Sequence, residues 1–514
     1  MSKKRLNVKA VVFYLIVIGI VVGLGFALVP QVMKEWSGNK TTSNSNNTLP
    51  KKASETLSSK DVVKISLDEW IGWKPLLDAN GGLKTAKGSI NDNLGIKVEY
   101  VITNDATISS SALIKGDLQG AGYTINRYAF LQNKFNEANV KVCMPYISNY
   151  SNGGDGIIAK SSIKSINDLA GKKIAIPRYS EAQTLVEWLI MNSDMSKDIQ
   201  DSIRKSMVYF ETPDDAAKAF FSGLVDAAAT WEPYLTQAKS TTDCRVLFDT
   251  SMSNNLILDG IVFRQDFLDK NEQLVSRIIE GALQAKDMYK TEFKYIKAMP
   301  LFELMSDDEI IDTANGADIA SWKDNKSLLN DQAKTMYKDM ANVWIKVGEK
   351  AYPDAADAAF TDKYISTLES KYASVSEERK TGDFTQENKE QAKAIDNKEA
   401  LMTKTLDIKF QPDSVVISEE SYPALNEFAD IAKILDGVFI QIEGNTAKVP
   451  GSDGKAFSER RANSIAKYLQ SQGVDASRFI IVGNGDSNPI GDNNTEEGKA
   501  ANRRTDIFFK VVGY

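Results

Sequence analysis

Chemistry in this chain has to be done without histidine, which is absent from all 514 residues. That excludes Ser-His-Asp and Cys-His catalysis and every histidine-ligated metal site. Cys143 and Cys244 are the two cysteines, too few for a structural zinc site, and no metal or other cofactor is expected. Cys143 lies in the apolar run Val140 to Pro145 and reads as a buried thiol. Its pairing with Cys244 is left open by the sequence. What remains is recognition. Trp70, Trp73 and Trp231 offer flat apolar faces, and Asp105, Asp155 and Glu232 offer charge or hydrogen-bond acceptors. A tryptophan face attracts a cation within about 6 Å by roughly 0.5–2 kcal/mol, so a cationic or amine-bearing ligand suits these residues. Ser180, at the start of a helical pattern, could instead present backbone N–H groups to an anion. Each residue also has a plain structural reading. A lone Trp is often core, Asp105 reads equally as a helix or turn cap, and Asp155 sits in the turn-forming stretch Asn152 to Gly156.

The elements that must position these residues alternate between strand and helix. Val62 to Ser66 and Ile96 to Val101 read as strands. Ser165 and Asp168 have the spacing of a helix cap and its third residue, and Gly171 suits a helix end. Lys172 to Pro177 reads as a strand. Ser180 and Gln183 repeat the capping spacing before Leu185, Trp188 and Leu189. Thr212-Pro213 opens another helix with proline at its first position. This alternation predicts an α/β fold with mostly parallel sheets and helices on both faces.

Several stretches then carry a resemblance. They are Trp70-Ile71-Gly72-Trp73, the run Ala112 to Gly122, the run Asn167 to Ala175, and Phe221 to Ala227 followed by Trp231-Glu232-Pro233. Across 62–375 the chain resembles the type II periplasmic solute-binding proteins of the nitrate, taurine and thiamine-precursor group. The resemblance implies two lobes that close on a small organic molecule at a hinge, with Trp70, Trp73, Asp105, Asp155, Ser180, Trp231 and Glu232 as candidate contacts. Some relatives of that fold are enzymes that build a pyrimidine with an active-site histidine; without one, this chain is expected not to be an enzyme.

From 403 to 514 a second pattern begins. Leu425, Phe428, Ala429, Ala432 and Leu435 mark one helical stripe, and Ala462, Ile465, Ala466 and Leu469 another, with Ser458 expected as its cap and Gly473 at its end. The pieces Ile442 to Thr446, Phe457 to Ala462, Gly483 to Pro489 and Asn502-Arg503-Arg504 resemble, in order, an OmpA/MotB-like peptidoglycan-binding domain. That resemblance implies that Asn445, Thr446 and Arg461 face the wall peptide, with the guanidinium forking onto a carboxylate. The family's aspartate position is Ala447 here; Asp453 is a candidate substitute. Arg460, Arg503 and Arg504 are expected to be structural ion-pair partners.

Residues 10–33 carry no charge and follow Lys3, Lys4, Arg5 and Lys9. About 20 apolar residues span a bilayer, so residues 1–33 read as a cytoplasmic tail and a transmembrane helix, with the bulk of the chain extracytoplasmic. The absence of an A-x-A-like site before Gln31 argues against a cleaved signal peptide. A polar tract makes 34–61 a linker spanning roughly 30 Å, and 376–402 reads as a polar linker or helix. The net charge of −7 lacks the basic footprint of a nucleic-acid binder. Expected partners are a small organic ligand, peptidoglycan, the membrane, and either a transporter permease or, in a stator-like alternative, motor-like channel subunits; a homodimer is also open. Stator helices carry an acid to relay protons, and 10–33 has none. The anchored reading expects mature protein that keeps Met1 or Ser2 and fractionates with membranes. N-terminal sequencing that begins after residue 30 would rule it out.

Overall fold

The computed structural model describes residues 56–58, 61–253, 256–375, 384–411, 414–449, 451 and 453–512. The expected membrane helix at 10–33 lies outside them, as does most of the linker 34–61. Among the described residues no helix is long and apolar enough to cross a membrane.

The first sheet contains β1 (Val62–Leu67), β2 (Lys97–Ile102), β3 (Gly120–Thr124), β4 (Val142–Cys143), β5 (Ile147–Ser151), β11 (Leu258–Arg264) and β12 (Ala317–Ile319). Its order is β12-β5-β11-β3-β1-β2, with β4 pairing β11. The second contains β6 (Asp155–Lys160), β7 (Ile174–Pro177), β8 (Met207–Phe210), β9 (Ala227–Trp231) and β10 (Cys244–Asp249), in the order β10-β6-β9-β7-β8. The chain leaves the first lobe through β5, enters the second through β6, and returns through β10 and β11. One strand of each crossing pair goes out and the other comes back. β5 therefore runs antiparallel to β11, and β6 antiparallel to β10. This corrects the expectation of mostly parallel sheets: β1, β2 and β3 are parallel, as are β7, β8 and β9, but the hinge side of both sheets is antiparallel.

The two connections are bound to each other. The Thr250 hydroxyl lies 2.7 Å from the Ser151 hydroxyl and accepts from the Gly153 N–H at 2.9 Å. At Gly154 the backbone comes so close to its surroundings that a Cβ would lie 2.4 Å from both the Gly316 carbonyl oxygen and the Trp70 ring. Cys143 pairs with Phe263 in the first lobe, whereas Cys244 lies in β10 of the second; both thiols are free. Burial pushes the Cys143 thiol up to about 12.

The third sheet, β13 (Met402–Leu406), β14 (Phe439–Asn445), β15 (Phe479–Gly485) and β16 (Thr505–Lys510), runs in the order β13-β16-β14-β15. The helices Tyr422–Ile434 and Gly454–Ser471 bury the two stripes read from the sequence. The second of them starts earlier than expected. Asp453 caps it, accepting from the Ala456 N–H at 3.0 Å, and Ser458 lies inside, where its hydroxyl accepts from the Gly485 N–H. A short helix, Glu496–Asn502, precedes β16. This third unit sits against the second lobe and the hinge: the Asp194 N–H donates to the Thr403 carbonyl at 3.0 Å, and the Gly437 N–H to the Met252 carbonyl at 3.1 Å.

Gly154→Ala is expected to destabilise the hinge by about 1–3 kcal/mol, the cost of forcing an extra methyl into a filled site. Thermal or urea unfolding of the full chain checks this. Unchanged stability would show that Gly316 and Trp70 can move aside.

Candidate functional site

Side chains from both lobes converge beside the hinge. Asp68 follows β1, and Arg127 is on the helix Ile125–Glu137 that follows β3. Asp259 is in β11, Asp155 opens β6, and Glu181 begins the helix Glu181–Asn192. Arg127 reaches from the first lobe to the second and donates to Glu181 at 2.9 Å, and Asn126 beside it donates to Thr184 of the second lobe at 2.9 Å. An aromatic cluster spans the same gap: Phe130 stacks on Tyr179 at 4.5 Å, and Trp344 packs against both. Tyr179 holds a left-handed backbone, φ 56°, which a side chain of its size seldom adopts.

The cluster is electrostatically unbalanced. Asp68, Asp155, Asp259 and Glu181 act on one another around the single guanidinium of Arg127. Burial is the largest cause in each case and raises Asp68 to about 6 and Asp155 to about 8, the latter aided by repulsion from Glu181. Asp259 is pushed well up by burial and by Asp68, Asp155 and Glu181. Charged groups removed from water favour their neutral form unless paired. Asp68 accepts the Trp73 indole N–H at 2.6 Å, which favours its charged form and opposes the shift.

Of the residues singled out in the sequence, Trp70, Asp155 and Trp231 come together here. Trp70 and Trp231 face each other across the lobes, centroids 6.4 Å apart and 17° from parallel, and Asp155 pairs with Trp231 in register. The Trp70 indole donates to Asn149 and the Trp231 indole to Asp214. Trp73 is fully buried, packed where Gly122 leaves room for its ring, and it orients Asp68. Glu232 is buried and its carboxylate holds the start of the helix Tyr234–Lys239, accepting from the Thr236 N–H and hydroxyl. The Ser180 hydroxyl donates to the Pro177 carbonyl at 2.6 Å, and the helix start behind it carries Glu181. Asp105 is exposed and caps the helix Ala106–Lys115, its carboxylate accepting from Thr107 and Ile108. Sequence reasoning missed Asp68, Arg127, Glu181 and Asp259. Asp259 had a signal: an acid inside the apolar run Leu256 to Phe263.

In the third unit, Asn445 ends β14 and is held by Asp506 and Asn484. The Thr446 N–H donates to the Gly485 carbonyl, while its hydroxyl is buried without a partner among the described residues. Ala447 is buried beside them. Arg461 lies two turns into its helix, away from the backbone N–H groups at the helix start. Its guanidinium lies between the Phe410 and Phe457 rings, 4.5 and 4.4 Å from their centroids, and donates to the Ser414 carbonyl. Arg504 forms the expected ion pair, with Asp506 at 2.9 Å.

The OmpA family model matches residues 409–503, and the NMT1/THI5-like model residues 92–291. Outer membrane porin F of Pseudomonas aeruginosa is 39% identical over 104 residues, 20% of this chain and 29% of that protein. The peptidoglycan-associated lipoprotein of Pseudomonas putida is 30% identical over 112 residues, 22% of this chain and 67% of that protein. The chain thus spans under a third of the porin. Among solved structures, the periplasmic aliphatic sulphonate binding protein SsuA from Escherichia coli aligns over 59% of this chain and 99% of its own, at 17% identity and a TM-score of 0.47.

The raised carboxyl groups make stability pH-dependent. An acid whose folded pKa lies above its unfolded value near 4 contributes stability at low pH that is lost as pH rises through the folded value. Ligand-free protein should therefore lose stability from about pH 4 to pH 8, the window set by Asp155. Asp155→Asn should flatten part of that slope and raise Tm at pH 8. Parallel Tm–pH curves for the two proteins would contradict this.

Proposed function

We propose, for a chain that belongs to the OmpA family through its C-terminal unit and carries an NMT1/THI5-like unit before it, a binding protein that captures a small organic molecule and docks on peptidoglycan. The observation that carries the first half is the double crossover. It gathers Trp70, Trp231 and a set of buried charged side chains between two lobes joined by a hinge. Among the described residues this junction holds groups suited to gripping a solute and no arranged nucleophile, and the reading is of binding rather than catalysis. The second half is supported by the OmpA-type match and by the exposed side chains of Lys448, Val449, Asp453, Lys455, Glu459 and Arg460 between β14 and Arg461. In the same reading the charge-free segment 10–33 anchors the chain, the bulk is extracytoplasmic, and a transporter permease receives the solute.

Wall docking is tested by retention of the full-length, detergent-solubilised protein on purified peptidoglycan. Arg461→Ala should lower retention tenfold or more, equivalent to at least about 1.4 kcal/mol. Arg461→Lys should also weaken it, because an ammonium cannot make the two-pronged contact. Ala447→Asp should strengthen it by adding an ammonium partner. If the unmodified protein is not retained and only Ala447→Asp is, docking on the wall is not a property of this chain.

A further inference from the structure

We infer that the interlobe cleft takes a small organic cation, seated among the carboxylates of Asp68, Asp155, Asp259 and Glu181 beside the Trp70–Trp231 pair. This rests on the solute-binding reading above and names the class of its ligand.

The first observation is the charge inventory. Four carboxylates from two lobes meet one guanidinium, Arg127, and Arg127 is already committed to Glu181. Buried charges are paired or neutralised. The second observation is independent of that count and concerns Asp259. Asp68 accepts from Trp73 and Glu181 from Arg127, and the nearby Ser151 hydroxyl favours the charged form of Asp155. Asp259 is 4% exposed, and among the described residues no donor reaches its carboxylate. It belongs to the same cluster, where Arg127 attracts it without a hydrogen bond among the described residues.

The third observation is where the aromatic faces lie. Trp231 pairs with Asp155 in register, and Trp70 packs on Gly154, the residue before it. The tryptophan pair therefore borders the acids, and cation attraction to indole faces adds to the carboxylate field. An anion entering this cleft would meet carboxylates from both sides. A cation would do the opposite. Asp68 and Asp259 belong to one lobe, Asp155 and Glu181 to the other, so wherever they are ionised their mutual repulsion resists closing. A positive charge between them turns that repulsion into attraction on both faces and draws the lobes together, a task Arg127 performs in part from within the chain.

The experiment uses full-length protein in detergent at pH 8, with choline, putrescine and agmatine as cationic probes, ethanesulfonate and nitrate as anionic probes, and uracil as a neutral one. Thermal shift and calorimetry read binding. At least one cation should bind saturably and raise Tm, with the anions and uracil inert. Asp259→Asn should weaken that cation at least tenfold while its own ligand-free Tm equals or exceeds that of the unmodified protein, which separates a lost ligand group from a lost fold. Trp231→Ala should weaken it at least fivefold. Saturable binding of an anion or uracil with the cations inert would overturn the ligand class and leave the solute-binding reading standing. Silence from every class would count against both. Unchanged cation affinity in Asp259→Asn would overturn the assigned seat.

Discussion

The gathering of like charges at the lobe junction is the constraint on which the clamp depends. A carboxylate withdrawn from water must find a proton, a donor or an opposite charge. Here Asp68, Asp155, Asp259 and Glu181 share one arginine between them. The Arg127–Glu181 pair accordingly does more than a surface ion pair would. It crosses the cleft, with both side chains mostly buried, and it stands between two lobes that otherwise present acid to acid. Burial of this kind costs folding stability, and the large cores of both lobes must offset it. Stability given up around a cleft is common where a site must bind and release.

The chain's route creates this junction. Leaving through β5 and returning through β11 puts Asn149 and Asp259 opposite each other in register, and the corresponding pair in the second lobe puts Asp155 beside Trp231. Thr250 ties the two connections together. The C-terminal unit rests on the same place, because Gly437 donates to the carbonyl of Met252 within the returning connection. A Cβ on Gly437 would lie 2.1 Å from the Ser251 carbonyl oxygen, so only glycine allows this approach. The OmpA-family unit and the hinge are in direct contact.

The elements that were legible in the sequence are those fixed by local chemistry. The capping box at Ser165 and Asp168 forms, Thr212 caps the helix behind Pro213, and the stripes at Leu425 and Ala462 are buried. Direction of strands was not legible, because antiparallel pairing at the hinge follows from a route across two lobes that no short window contains. The start of the helix at Gly454 was missed because Asp453 and Ser458 are both good caps, and contacts with Gly485 decide between them. Trp70 and Trp231 were legible as faces, but their partners were not. Asp68, Arg127, Glu181 and Asp259 lie up to 191 positions apart and become a cluster only after folding. Asp105 and Glu232 show the reverse: acids in suggestive places whose carboxylates satisfy nearby backbone N–H groups.

The inferred seat requires positive charge in its ligand, beyond any demand for shape. Choline and its carbon isostere 3,3-dimethylbutanol differ in that charge and scarcely in size, so their relative affinity for the full-length protein isolates it. Competition of each against the tightest cationic probe, read by calorimetry at pH 8, gives the ratio directly. Choline should bind at least a hundredfold more tightly; equal affinity, or tighter binding of the neutral isostere, would contradict a cationic ligand.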